Sequence, residues 1–424
     1  MGRLLAMYTP KAWKEKKGEY TYRYDFLDRL TDTINPDGSH ERQMRDGEGR
    51  ILKKVHPNAY DAALDDGEGI TYEYDSDGSN IRIHYPDGGC ERMFYDAAGN
   101  RTKHILPEAY DAQKDDGEGW TYTYDAENRM KTVTGPDGAL LFTAEYDLSG
   151  NLTAETDAAG RTSYRKYTPD GQLQELLEPV DEQDGELLYR RTAYEYDLNG
   201  NMVKEQRCGG YWDRDGSLVK TDGADLTLQF TYDKRDRRTR VEDGTGAVIS
   251  YRYDVQGKPV HEERLISEDV KQVLDYEYDR AGRLTKIKEE LDSGLPELAG
   301  EHKYAITIYR YDENGNRTGI ITPEGYHILR EYDSRDRLRS ERVLDKGNGI
   351  DRTTEVTYDN AGNITKITRQ GKGQEAWELR YGYDLKDRIT HVEDCLGPVF
   401  RYAYDRNDQL KEEILPQVSG NHSY

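Results

Sequence analysis

The sequence predicts an all-β chain, an elongated, curved, antiparallel β-sheet strip of stacked hairpins. Three observations carry that prediction. A phrase ending in Tyr-Asp recurs along nearly the whole chain, apolar content is too low for a filled core, and tyrosine stands where core aromatics would be. The clearest copy is Y-E-Y-D-R-A-G-R-L at Tyr276–Leu284. Tyr-x-Tyr places two rings on one face of a strand, because side chains alternate with period two. Asp279 opens a tight turn by accepting an N–H two residues on, and Gly282 supplies a position with positive φ. Arg283 and Leu284 begin the returning strand.

Nine copies keep Tyr-x-Tyr-Asp, ending at Tyr24-Asp25, Tyr74-Asp75, Tyr124-Asp125, Tyr196-Asp197, Tyr253-Asp254, Tyr278-Asp279, Tyr311-Asp312, Tyr383-Asp384 and Tyr404-Asp405. Looser copies keep Tyr-Asp alone, at Asp96, Asp147, Asp233, Asp333 and Tyr358-Asp359; Gly315 closes the turn opened by Asp312, and Gly362 that opened by Asp359, as Gly282 does after Asp279. Two degenerate copies sit at Asp46 and Thr168, and many neighbouring copies lie 21 or 29 residues apart. A period in the twenties holds two strands and two turns, the signature of a repeat architecture.

Hydrophobic residues make up 34% of the chain and charged residues another 34%. A compact globule of this length would bury roughly three quarters of its unfolded surface, and there is too little apolar material for that. Tyr outnumbers Phe 35 to 5. Such a bias suits rings packed on their flanks with the hydroxyl on water or a polar partner, in a thin sheet with two half-wet faces. A net charge of −23 disfavours nucleic acid as a partner. Three scattered cysteines offer neither a disulfide framework nor zinc spacing, and no apolar run reaches membrane length. No targeting signal is legible.

Taken in order, residues 1–19 read as an N-terminal cap or flexible lead-in. Residues 20–415 carry about sixteen repeats, and Pro-Asp-Gly at Asn35–Gly38, Tyr85–Gly88 and Gly135–Gly138 marks a second kind of hairpin tip, recurring every 50 residues. Insertions near 59–69, 109–119, 205–224 and 289–304 read as projecting loops, the first two with about one helical turn. Residues 416–424 read as a tail at a truncation point.

Few motifs suggest chemistry. Asp65, Asp66 and Glu68, with Asp115, Asp116 and Glu118, could collect calcium through carboxylate oxygens, and Asp75-x-Asp77-Gly78 and Asp213-x-Asp215-Gly216 echo fragments of calcium loops. None completes the calcium-loop series, and Asp-Gly is ordinary turn chemistry, so no metal, cofactor or catalytic residue is assigned. An aspartate repeated at every turn is explained by the turn, whereas catalysis needs one special constellation. The tyrosine rows are the remaining candidate. They form cross-strand ladders, or expose rings that stack on sugars.

The patterns Y-R-Y-D-E-N-G-N-R at Tyr309–Arg317, T-Y-D-N-A-G-N-I at Thr357–Ile364 and R-Y-A-Y-D-R-N-D-Q-L at Arg401–Leu410 resemble the RHS, or YD, repeat family. Its members include bacterial Rhs and wall-associated polymorphic toxins, encapsulating subunits of Tc toxins, and teneurins. The resemblance implies a β-strip spiralling into a partial hollow shell, with the rest of that shell and an enclosed C-terminal toxin as partners. It also implies a secreted or cell-surface location. No D-P-x-G-type cleavage segment follows the repeats in residues 411–424. The leading expectation is therefore a non-enzymatic shell segment. The alternative is an adhesion module binding glycan or protein through exposed Tyr and acidic surface, and a calcium-stabilised scaffold ranks third.

Overall fold

The computed structural model describes residues 3–15, 18–183, 185–221, 223–267, 270–290, 304–345, 347–395 and 397–415. The chain divides into two compact units, Met1–Gly119 with Ile308–Tyr424, and Trp120–Thr307. Both are built from antiparallel strands joined by tight turns, and Pro10–Glu15 is the one helix among the described residues.

In the first unit, Glu19–Tyr24, Leu30–Ile34, His40–Arg45, Ile51–Val55, Gly69–Tyr74, Asn80–His84, Cys90–Tyr95 and Arg101–Ile105 pair each with the next. A second ladder in this unit runs from Arg317–Ile321 to Leu410–Ile414 by the same rule. Residues 1–19, expected as a cap or flexible lead-in, include the strand Ala6–Tyr8, which pairs with Glu19–Tyr24.

The second unit repeats the plan from Trp120–Tyr124 to Leu284–Glu290, with one variation. The insertion at 205–224, expected as a loop, contains a hairpin, Gly210–Trp212 with Leu218–Thr221. Its Trp212 lies opposite Tyr189, and Met202–Arg207 pairs directly with Leu226–Tyr232 across the insertion. The hairpin closes over Leu177, Tyr189 and Cys208, forming a small buried cluster. Elsewhere most strand side chains are half-buried on both faces, as a sheet without a filled core requires.

The insertions at 59–69 and 109–119 contain no helical turn. Each is a short reverse hairpin, bridged at Asp61 and Asp66 in one and at Tyr110–Asp111 and Asp116–Gly117 in the other. Gly117 allows this closure, since a Cβ there would sit 2.0 Å from the Ala109 carbonyl oxygen. Most of the 289–304 insertion and the 416–424 tail lie outside the described residues.

Candidate functional site

The Tyr-Asp turn is the unit from which any site must be built. At Asp75 the main-chain N–H of Gly78 donates back to the Asp75 carbonyl (3.2 Å), and the Asp75 N–H donates to the Ser79 carbonyl (3.0 Å). Gly78 has φ 88°, and the register slips by one residue at Tyr74. This is a type I turn closed by a G1 bulge, which matches the twist of the flanking strands. The carboxylate Oδ1 also accepts the N–H groups of Asp77 and Ser79. Six turns put Asp or Asn in the left-handed position instead of Gly: Asp28, Asn128, Asp236, Asp336, Asp387 and Asp408.

The residue after that position completes the turn. Where it is Arg, its Nε donates to the turn aspartate, as from Arg50 to Asp46 (2.6 Å), Arg237 to Asp233 (2.8 Å) and Arg337 to Asp333 (2.7 Å). Where it is Asn, the side-chain amide donates, as from Asn151 to Asp147 and Asn201 to Asp197. These bonds favour the ionised form. The Asn151 amide holds the Asp147 carboxyl below the usual range, and the Arg237 guanidinium does the same for Asp233.

The motif tyrosine ties each turn to the preceding strand. Tyr74, Tyr146, Tyr196, Tyr253, Tyr278, Tyr358 and Tyr383 donate their hydroxyls to the carbonyls of Ile51, Met130, Leu173, Arg238, Pro259, Leu338 and Ile364, at 2.6–2.9 Å. Each acceptor is the first residue of its strand, or its last register partner, where the ladder opens. Phe would leave that carbonyl unserved, and this accounts for the tyrosine excess. Arginine covers many of the rings. Arg129, Arg237 and Arg337 lie 4.6–4.7 Å from the ring centroids of Tyr146, Tyr253 and Tyr358. Their Nη1 atoms reach the carbonyls of Asp147, Asp254 and Asp359 in the following turn. Turn is thereby stacked on turn.

The acidic loops are occupied by cations of the protein. Asp115 receives Arg82 and Arg92 at 2.6–3.0 Å together with the Tyr110 hydroxyl, and Asp65 receives Arg42 at 2.8 Å. Asp66 and Asp116 pair with Lys53 and Lys103. Hydrogen bonding to Arg82 brings the Asp115 carboxyl down to about 2. Among the described residues no group of acidic, His or Cys side chains converges as metal ligands do. Asp213 to Gly216, an echo of calcium loops in the sequence, forms the tip of the 210–221 hairpin.

The arrangement with functional consequence is an edge-to-edge seam inside the first unit. One edge carries the Pro-Asp-Gly tips and the loops after Pro57 and Pro107; the other carries Tyr-Asp turns 312 to 409. Asp37 accepts from Arg337 (3.0 Å) and Arg335 (3.4 Å), and Asp87 from Lys386 and Arg388 (both 3.2 Å). Between these seats Asn58 accepts the N–H of Asn360 (3.0 Å) and donates to Asp359 (2.8 Å), while His56 meets Asp387 at 2.9 Å. Glu108 accepts the Arg406 N–H (2.8 Å), and Lys11 donates its N–H to Asn314 (2.8 Å). Five successive turns are each engaged, mostly by partners close to 300 residues away: Asp37 and Arg335 are 298 apart. Lys386 is left only 6% exposed and lies over the Tyr85 ring. A sequence signal existed for this seam, in the Arg- or Lys-x-Arg pattern of turns 333–337 and 384–388 opposite the 50-residue series of tips.

Residues 109–293 match the family model described as Teneurin YD-shell. The chain is 26% identical over 287 residues to a probable deoxyribonuclease RhsB of Dickeya dadantii, covering 62% of this chain and 17% of that protein. It is 25% identical over 310 residues to double-stranded DNA deaminase toxin A of Burkholderia cenocepacia, covering 63% of this chain and 20% of that one. The chain thus spans about a fifth or less of the length of these relatives. A solved Photorhabdus luminescens Tc holotoxin pore structure aligns with a TM-score of 0.43 at 16% identity, over 97% of this chain and 25% of that one. Among the described residues no helix is long and apolar enough to cross a membrane.

Proposed function

Because the chain belongs to the RHS/YD-repeat family, we propose that it is a wall segment of a secreted or surface-borne polymorphic toxin shell that encloses a C-terminal toxin. The seam carries this reading. A strip one strand tall makes a band, whereas a strip whose tips seat in its own later turns makes a wall that grows in height. The wall acts sterically, and the catalysis named for the relatives belongs to parts of those proteins that this chain does not match. The Tyr rows support the wall over the adhesive alternative. The hydroxyls of the tyrosines directly before the turn aspartates are spent on main-chain carbonyls, that of Tyr276 on Glu262, and Arg317 lies 4.4 Å from the Tyr309 ring centroid, covering a face that a sugar would need.

The test is latency. A small nuclease fused after Tyr424 is assayed on a macromolecular substrate before and after denaturation of the wall. The proposal expects weak activity that rises on denaturation, and higher basal activity when Asp37→Arg and Asp87→Arg open the seam. A fused nuclease as active as the free enzyme contradicts it. A glycan array checks the adhesive alternative. Saturable binding lost on Tyr309→Ala and Tyr311→Ala would favour that reading.

A further inference from the structure

The seam is packed tightly at two places and holds a cavity at a third. A Cβ on Gly18 would lie 3.3 Å from that of Pro36 and 3.7 Å from that of Ser334 across the seam. One on Gly89 would lie 3.1 Å from that of Pro107 and 3.5 Å from that of Arg406. Both places are thus filled to van der Waals contact. Between the loop at His56 and Pro57 and the tip at Tyr85, the same seam encloses a cavity of about 490 Å³, a size typical of small-molecule sites.

Its two walls come from opposite sides of the seam. Lys54 and Ile70 are direct cross-strand partners, so they share one face of the first ladder. Leu385 and Asp387 belong to the turn that faces them, and Asp408 to the turn after it. Ile70, Leu385, Pro57 and the Tyr85 ring make the cavity apolar at its centre. Most of the charge around it is already paired: Lys386 lies on Asp87 and Asp408, His56 on Asp387, and Arg42 on Asp65.

What remains unpaired is of both signs. The Lys54 ammonium meets no carboxylate among the described residues and stands 5.9 Å from the centroid of the Tyr72 ring. Asp387 takes His56 and Asn363 on Oδ1, and Asp408 takes Lys386 and Arg388 on Oδ1, so each Oδ2 has no protein donor. Glu41, also in the lining, takes Asn35 and Arg335 on Oε1 alone. A ligand that is only an anion or only an amine would leave one of these ends unanswered. One that carries both charges on an apolar body answers the cation, the acids and the apolar centre together.

We propose that the cavity binds a free α-amino acid with an apolar side chain. Its carboxylate lies on Lys54, its ammonium on the open oxygens of Asp387 and Asp408, and its side chain against Ile70 and Leu385. Such a ligand touches both sides of the seam, so it binds the closed wall and holds it shut by linkage. The site rests on the seam alone and stands or falls apart from what the wall encloses.

Isothermal titration calorimetry of the full chain with L-leucine, and with L-phenylalanine as the aromatic case, tests the site. The expected result is saturable binding of one amino acid per chain. Affinity should fall about tenfold or more for the corresponding amide, which lacks the carboxylate, for the corresponding acid without its amino group, and in Lys54→Met. Leu385→Trp, which fills the cavity from a turn position, should abolish binding with an unchanged strand signal in circular dichroism. Hydrogen exchange gives a second reading. An amino acid at about ten times its Kd should slow exchange about tenfold in the 85–89 tip and the 384–388 turn, and leave the 197–201 turn of the second unit unchanged. Binding of neither amino acid overturns the proposal, as does binding that the amide matches or that Leu385→Trp leaves intact.

Discussion

The two 50-residue repeats at the start of the first unit share a backbone plan and differ in how they balance charge beneath their acidic loops. In the first, Asp65 faces Arg42 closely and Arg23 at 3.8 Å, while Arg23 also lies 3.5 Å from Asp32. Asp32 is fully buried, holds His40 at 2.9 Å, and has one carboxylate oxygen without a hydrogen-bond donor. In the second, those places are taken by Glu73, Arg82 and Cys90. Arg82 bridges Glu73 and Asp115, and Arg92 adds a second guanidinium to Asp115. The signs at positions 23 and 32 have been exchanged at 73 and 82. The fold thus constrains the sum of charge around the loop more than the residue at each place, and the second repeat reaches the better-satisfied arrangement.

The largest expected effect is one the repeats share. Gly67→Ala and Gly117→Ala drive a Cβ to within 2.1 and 2.0 Å of the Ala59 and Ala109 carbonyl oxygens. Each should cost about 3 kcal/mol, read as a lowered urea midpoint. Unequal costs would show that the two loops do not share a backbone.

The charge difference should appear next. Asp115→Ala strands two guanidinium groups and should cost about 2 kcal/mol, against about 1 for Asp65→Ala, allowing for the solvent exposure of both sites. Equal losses would remove the distinction. Tyr74→Phe and Tyr95→Phe, which unserve the carbonyls of Ile51 and Asn80, should cost about 1 kcal/mol each in denaturation.

Acid gives the gentlest probe. The Tyr-Asp carboxyls Asp96, Asp147, Asp197 and Asp233 have folded-state pKa values below their unfolded ones. Their stabilisation is complete above about pH 4 and is lost as pH falls through the folded values. Asp115, at about 2, should be the last to release its hold. Carboxyl titration by NMR should therefore find Asp115 ionised after the turn aspartates have protonated.

What the sequence disclosed follows the range of each interaction. The Tyr-Asp turns were legible because Asp, the left-handed residue and the following Arg or Asn lie within five positions. The 205–224 hairpin was not legible because its Gly- and charge-rich stretch reads as an inserted loop, although Asp213 to Gly216 reads as a turn and Tyr211 and Trp212 before it repeat the aromatic lead-in of the other turns. The target of the tyrosine hydroxyls could not be read at all, since a main-chain carbonyl has no side-chain signature. The seam was hidden by distance: Asp37 and Arg335 each look like routine turn residues until the strands bring them together.

Zero-length carbodiimide coupling followed by peptide mass spectrometry tests that seam most directly, because Asp87 and Lys386 meet at 3.2 Å and can be joined as an amide. A link between them in monomeric protein, independent of concentration and abolished by Asp87→Asn, is the predicted result. Coupling of Lys386 only to carboxylates of its own and the adjacent turn, such as Asp408, would contradict the account.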